Sequence, residues 1–197
     1  MEKKKRNTCD DYQNFVTDKL TDLFPDLSVR KEWPAFERAL GVYAPRVDIA
    51  IGPFSITPGE TRIFEYDNLV EDHRINAFLR SLYEIHLGNV RNELSQEISP
   101  SSFNDLIFKN QNARCFIAFE IENTSTKKHI MGSIVNAASL GRIGIGIAYN
   151  DSVLRTFIRI LAYLSLLKRV GKNTYDTTNF LIVTKEQFLT ILEATDN

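Results

Sequence analysis

Cys115-Phe116-Ile117-Ala118-Phe119-Glu120-Ile121-Glu122, followed by Asn123-Thr124-Ser125-Thr126, is the stretch whose reading decides the fold. Its first five residues are apolar, which suits a strand covered on both faces and central in a sheet. The four small polar residues after it are helix-capping types, so a helix is predicted from there to about Leu140. Gly141 ends that helix, and Ile143-Gly144-Ile145-Gly146-Ile147-Ala148 reads as a second buried strand. A strand, a helix and a strand with short connections imply a right-handed crossover and a parallel pair. The fold class expected is α/β, a central sheet flanked by helices.

Downstream, the pattern predicts a helix over 151–170, a strand from Phe180 to Val183 and a last helix over 185–194. Upstream, Pro45 and Pro53 bracket a strand with Val47, Ile49 and Ile51 on one face and Arg46, Asp48 and Ala50 on the other. An amphipathic helix is predicted over 10–24, ended by Pro25, and a short one from Pro34 to Gly41. Residues 54–67 read as turn-rich with a short strand near Ile63. One long helix then carries Leu69, Ile75, Phe78, Leu79, Leu82 and Tyr83 on a single stripe and stops at Gly88. Residues 92–113 read as polar and turn-like, with a helical turn from Phe103 to Phe108. No repeat or linker divides the chain, so 1–197 is read as one domain with a flexible tail over 1–9.

With 43% hydrophobic and 25% charged residues, the composition is that of an ordinary globular domain and argues against disorder. The net charge of −1 supplies no global positive field, so a nucleic-acid partner would need a local patch. The one basic run, Lys3-Lys4-Lys5-Arg6, reads as a solvated tail. Cys9 and Cys115 form no CxxC, and His73, His86 and His129 have no zinc spacing, which fits a reduced, cytoplasmic protein. Arg155, Arg159 and Lys168 interrupt the most apolar stretch, so no membrane span is expected.

Glu120 and Glu122 stand two apart on a strand and leave the same face. At about 6 Å and an effective dielectric of about 20, two such charges repel by about 3 kcal/mol. Asp48 on a neighbouring strand would make three negative charges. A hard divalent cation, Mg²⁺ or Mn²⁺, would compensate them, since Mg²⁺ favours one or two carboxylates plus water and phosphate oxygens. The plainer reading makes these acids solvated strand ends, or partners of Lys127, Lys128 or Arg142.

Pro45-Arg46-Val47-Asp48 and Glu120-Ile121-Glu122, each on a strand and followed by helix and strand, resemble the motifs of the restriction-endonuclease-like (PD-(D/E)XK) nucleases. The resemblance covers about 40–150. It implies a mixed sheet of that type with a helical insertion over 54–113 between the motif strands. It also implies Mg²⁺ or Mn²⁺ held by Asp48, Glu120, Glu122 and the Ile121 carbonyl, and hydrolysis of DNA phosphodiester bonds, in restriction or defence. The sequence departs from the pattern in three ways. Val47 precedes Asp48, Glu122 stands where a lysine is usual, and the motifs lie far apart. Lys127 and Lys128, early in the next helix, are the candidates for the lysine's role and for a phosphate contact, aided by the helix dipole.

Glu37 is a further candidate carboxylate, though read first as a surface residue, and His129 is read as a packing residue. The glycines of Gly141-Arg142-Ile143-Gly144-Ile145-Gly146 alternate within a strand, so they are read as close packing and not as a nucleotide loop. Two other functions compete: a catalytically inactive binding module of the same fold, and a hydrolase or transferase on another phosphate substrate. The apolar excess of helix 151–170 predicts burial or a subunit contact, and the resemblance to restriction-endonuclease-like nucleases implies a homodimer.

Overall fold

The computed structural model describes residues 2–36, 44–57, 59–94 and 101–195, and of 2–8 the backbone alone. Helix α1 (Glu2–Leu23) leads into strand β1 (Val29–Pro34) and then β2 (Arg46–Ile51). Helices α2 (Ile63–Glu71), α3 (His73–Glu93) and α4 (Phe103–Ile107) precede β3 (Cys115–Glu122). The chain ends with α5 (Lys127–Leu140), β4 (Gly141–Ala148), α6 (Asp151–Arg169), β5 (Phe180–Thr184) and α7 (Lys185–Thr195).

The five strands lie in the order β1-β2-β3-β4-β5. β2 is antiparallel to both β1 and β3, while β3, β4 and β5 run parallel. This is the α/β architecture expected, with a mixed sheet between two helical layers. Ile49, Ile51, Ile117, Phe119, Ile143, Ile145 and Leu181 pack one face under α1, α3 and α7. Ala50, Ala118, Phe180 and Ile182 pack the other against Ile130, Ile134 and Ala137 of α5 and Phe157 and Leu164 of α6. Small side chains let α5 approach the sheet. A Cβ on Gly144 would lie 2.8 Å from the Phe180 ring and 2.9 Å from the Ala137 backbone.

The outer edge of β5 is covered by side chains of α3. His86 Nδ1 accepts the Ile182 N–H at 3.1 Å, and Asn89 donates to the Ile182 carbonyl at 3.1 Å. That blocks pairing with another strand.

Several expectations are corrected. Pro34 ends a strand and does not open a helix; the rest of the expected helix, including Glu37, lies outside the described residues. Ile63 opens α2 instead of sitting in a strand. The single long helix is two: Asp72 separates them, its side chain capping Ile75 N, and α3 runs past Gly88 to Glu93. Helix α1 starts at Glu2, ahead of the 10–24 helix predicted. Helix α6 buries one face and leaves Tyr163 and Leu166 exposed. Among the described residues no helix is long and apolar enough to cross a membrane, and Cys9 and Cys115 are free thiols.

Candidate active site

The β2–β3 ladder pairs Ala50 with Ala118 and Ile49 with Phe119. One step further, that register sets Asp48 across from Glu120, so the two side chains leave the same face of the sheet. The backbone ladder stops there. Asp48 Oδ2 accepts the Ile121 N–H at 2.7 Å, taking the place of a β2 carbonyl. In a strand the N–H and C=O of one residue point to the same side, so the Ile121 carbonyl also faces Asp48.

Gln13 of α1 secures the other side of Asp48. Its amide donates to the Asp48 carbonyl at 2.7 Å and to Glu32 Oε1 at 3.3 Å. Glu32 stands across from Asp48 in the β1–β2 register and has φ +49°, a strained value for a residue with a Cβ. Glu32 therefore adds a fourth carboxylate to the group formed by Asp48, Glu120 and Glu122.

Glu120 is only 8% exposed, and among the described residues no hydrogen bond or ion pair reaches its carboxylate. Burial, then the charges of Asp48, Glu122 and Glu32, push its carboxyl well above the usual range. Burial also lifts Asp48, to about 6, against the pull of the Ile121 N–H and with help from Glu32 and Glu122. Glu122 is raised by burial, but the Ser133 hydroxyl donates to it at 2.6 Å, and this bond and the charge of His129 hold it down. Asp48, Glu120 and Glu122 thus converge, although among the described residues no group of three His, Cys, Asp or Glu is arranged to enclose an ion unaided.

The ion pairs considered from sequence do not form. Arg142 is fully buried elsewhere and bound to Asp67, and among the described residues neither Lys127 nor Lys128 forms an ion pair. Lys128 does share with Glu120 a cleft of about 390 Å³, lined also by Arg46, His129, Gly132, Ser133 and Asn136. Lys127 does not line it. His129 is exposed in this cleft and is not the packing histidine expected; that role falls to His86, which is 6% exposed. A larger groove of about 640 Å³ lies between the α1–β1 connection, α2 and α3. Its lining includes Phe24, Leu69 and Ile75, and two of its three acids are engaged, Asp72 as a helix cap and Glu65 with Arg62. The smaller cleft, which Glu120 lines, is the candidate site.

Comparison with known proteins finds no matching protein-family model, and no curated protein or solved structure with significant similarity.

Sequence reasoning reached Asp48, Glu120, Glu122 and Lys128 but missed Glu32, Gln13, Ser133 and the cleft role of Arg46. Glu32 had no signal, because its strand was not recognised. Gln13 did have one, as a polar residue among the apolar positions of an amphipathic helix.

Proposed function

We propose that this protein is a divalent-metal-dependent nuclease of restriction-endonuclease-like type that hydrolyses DNA phosphodiester bonds. The observation carrying the reading is Glu120, a buried carboxylate without a partner among the described residues, set across the strands from Asp48 and opening into a cleft with cationic walls. A buried charge without a partner is expensive unless it is neutralised or coordinates a metal. With α2, α3 and α4 set between its second and third strands, the order helix, three antiparallel strands, helix and parallel strand, with Asp48 on β2 and Glu120 on β3, is compatible with the resemblance drawn from the sequence and supports the same reading.

The donor set fits a hard cation. Asp48, Glu120 and the Ile121 carbonyl would hold Mg²⁺ or Mn²⁺, all of them oxygen ligands. The bound ion would supply Lewis-acid stabilisation of a phosphoryl oxygen and a nucleophilic hydroxide. Ser133 fixes one oxygen of Glu122, leaving the other to take a proton from water as general base. Lys128 places a positive charge on the cleft wall for the phosphate. The exposed Tyr163 and Leu166 of α6 are the contact we propose for a homodimer, to be checked by sedimentation.

The test is incubation of purified protein with supercoiled DNA and Mg²⁺ or Mn²⁺, beside Asp48→Ala. Nicking by the wild type alone supports the nuclease. Binding of DNA with no nicking in either cation favours the inactive binding module, for which the Ser133-bound Glu122 in the lysine's place is the supporting observation.

A further inference from the structure

The walls of the Glu120 cleft come from two elements. Arg46, at the start of β2, forms one bank; Lys128, His129, Gly132, Ser133 and Asn136 form a strip of α5 as the other. From Lys128 to Asn136 the strip is about 12 Å long at the α-helical rise. Arg46, Lys128 and His129 are exposed, and among the described residues none of them forms an ion pair. Three cationic or protonatable groups therefore rim a cleft whose buried end is an unpartnered carboxylate. That contrast of charge suits a ligand that brings its own negative charge to the rim and shares a cation with the acids.

Gly132 sits in the middle of the α5 strip, and a Cβ built there meets nothing within 4 Å. It does not serve tight packing as Gly144 does, and it lowers helix stability relative to alanine by about 0.5–1 kcal/mol. What its missing side chain leaves is open space in the wall. The cleft's 390 Å³ lies at the small end of ligand sites, which run from about 300 to 1,000 Å³. This suits one nucleotide.

We propose that this cleft is a nucleotide subsite beside the carboxylates. It seats one nucleotide of a nucleic-acid strand, with the phosphate between Arg46, Lys128 and His129 and the Asn136 amide at the far end, and Gly132 keeps it open. The assignment deepens the nuclease reading and rests on it for the identity of the ligand. It does not depend on turnover.

The probe is a fluorescein-labelled single-stranded oligodeoxynucleotide, with binding followed by anisotropy in Ca²⁺ and cleavage in Mg²⁺. Gly132→Phe should fill the cleft without touching the core. It is expected to weaken binding by about tenfold or more, the size of loss that follows when a ligand group is displaced by about 1.4 kcal/mol. Gly132→Ala should bind as wild type, and both variants should melt no lower than wild type. Arg46→Ala should reduce the salt dependence of binding by about 0.7 in the log–log slope, one single-strand phosphate contact. Wild-type affinity in Gly132→Phe overturns the subsite even if Mg²⁺ cleavage persists, as does a wild type that binds no oligonucleotide. Binding lost in Gly132→Phe, with no cleavage by any form, upholds the subsite while the catalytic reading fails.

Discussion

The Asp48 carboxylate accepts the Ile121 N–H at 2.7 Å, so the last rung between β2 and β3 is made by a side chain. One residue thereby closes the ladder and holds an acid beside Glu120. The two tasks separate by substitution. Asp48→Asn keeps an acceptor for Ile121 and removes the charge, so it should fold and lose cleavage. Asp48→Ala strands the N–H as well and should be less stable than Asp48→Asn by about 1–3 kcal/mol. Urea denaturation of the two variants measures that gap, and equal stabilities would refute the structural half of the role.

Glu120→Gln should abolish cleavage while leaving the metal-free protein as stable as wild type or more so. The change keeps the shape and relieves repulsion of about 3 kcal/mol per close neighbour before solvent screening. A lower melting temperature in EDTA would contradict this and point to a structural ion pair.

Stability without metal should rise as the pH is lowered from about 8 to 6.5. Glu120 and Asp48 bind protons more tightly in the folded chain, the latter with a value of about 6, so ionising them on the alkaline side costs folding energy. Glu120, pushed well above the usual carboxylate range by burial and its acidic neighbours, should contribute to the slope with Asp48. Buried His86, lowered to about 4, opposes the trend below 6.5, where the unfolded chain takes up a proton the folded chain does not. Thermal melts in EDTA should show the slope, and Glu120→Gln should flatten it. Mn²⁺ should raise the melting temperature more at the alkaline end, where its ligands are ionised with less competition from protons. The opposite slope in the wild type would count against buried, uncompensated acids.

Gly144→Ala should destabilise the protein by about 1–3 kcal/mol, because its methyl group meets the Phe180 ring and the α5 backbone closer than 3.0 Å. Chemical denaturation gives the value, and a neutral result would mean that α5 can move away from β4 at little cost.

The elements around Glu120 were legible because their residues are apolar on both faces. β3 and β4 are buried almost throughout, and the apolar runs Cys115 to Phe119 and Ile143 to Ala148 mark them despite Glu120, Glu122 and Arg142. β1 was not legible: of Val29-Arg30-Lys31-Glu32-Trp33-Pro34 only Trp33 is buried, as befits an edge strand carrying charge. Glu32 disappeared with it. The break between α2 and α3 was hidden because the apolar stripe runs on across it, and Asp72 reads like any surface acid until its carboxylate is seen capping Ile75. Acids on recognised strands could be placed on a face by counting. The cleft opposite them depends on how α5 lies across the sheet, which no local pattern encodes.

Arg142 ties the helices between β2 and β3 to the sheet. Fully buried at the base of β4, its guanidinium donates to the carbonyls of Ile107 and Asn110 and to Asp67. The segment over 54–113, read from sequence as an insertion, is therefore no detachable graft. Excising it would leave a guanidinium in the protein interior without its acceptors, a loss of about 3–5 kcal/mol for a broken buried pair. In hydrogen exchange, amides of α2, α4 and β4 should open together as one cooperative unit. Shortening this chain toward a minimal catalytic core would remove a keystone of the sheet.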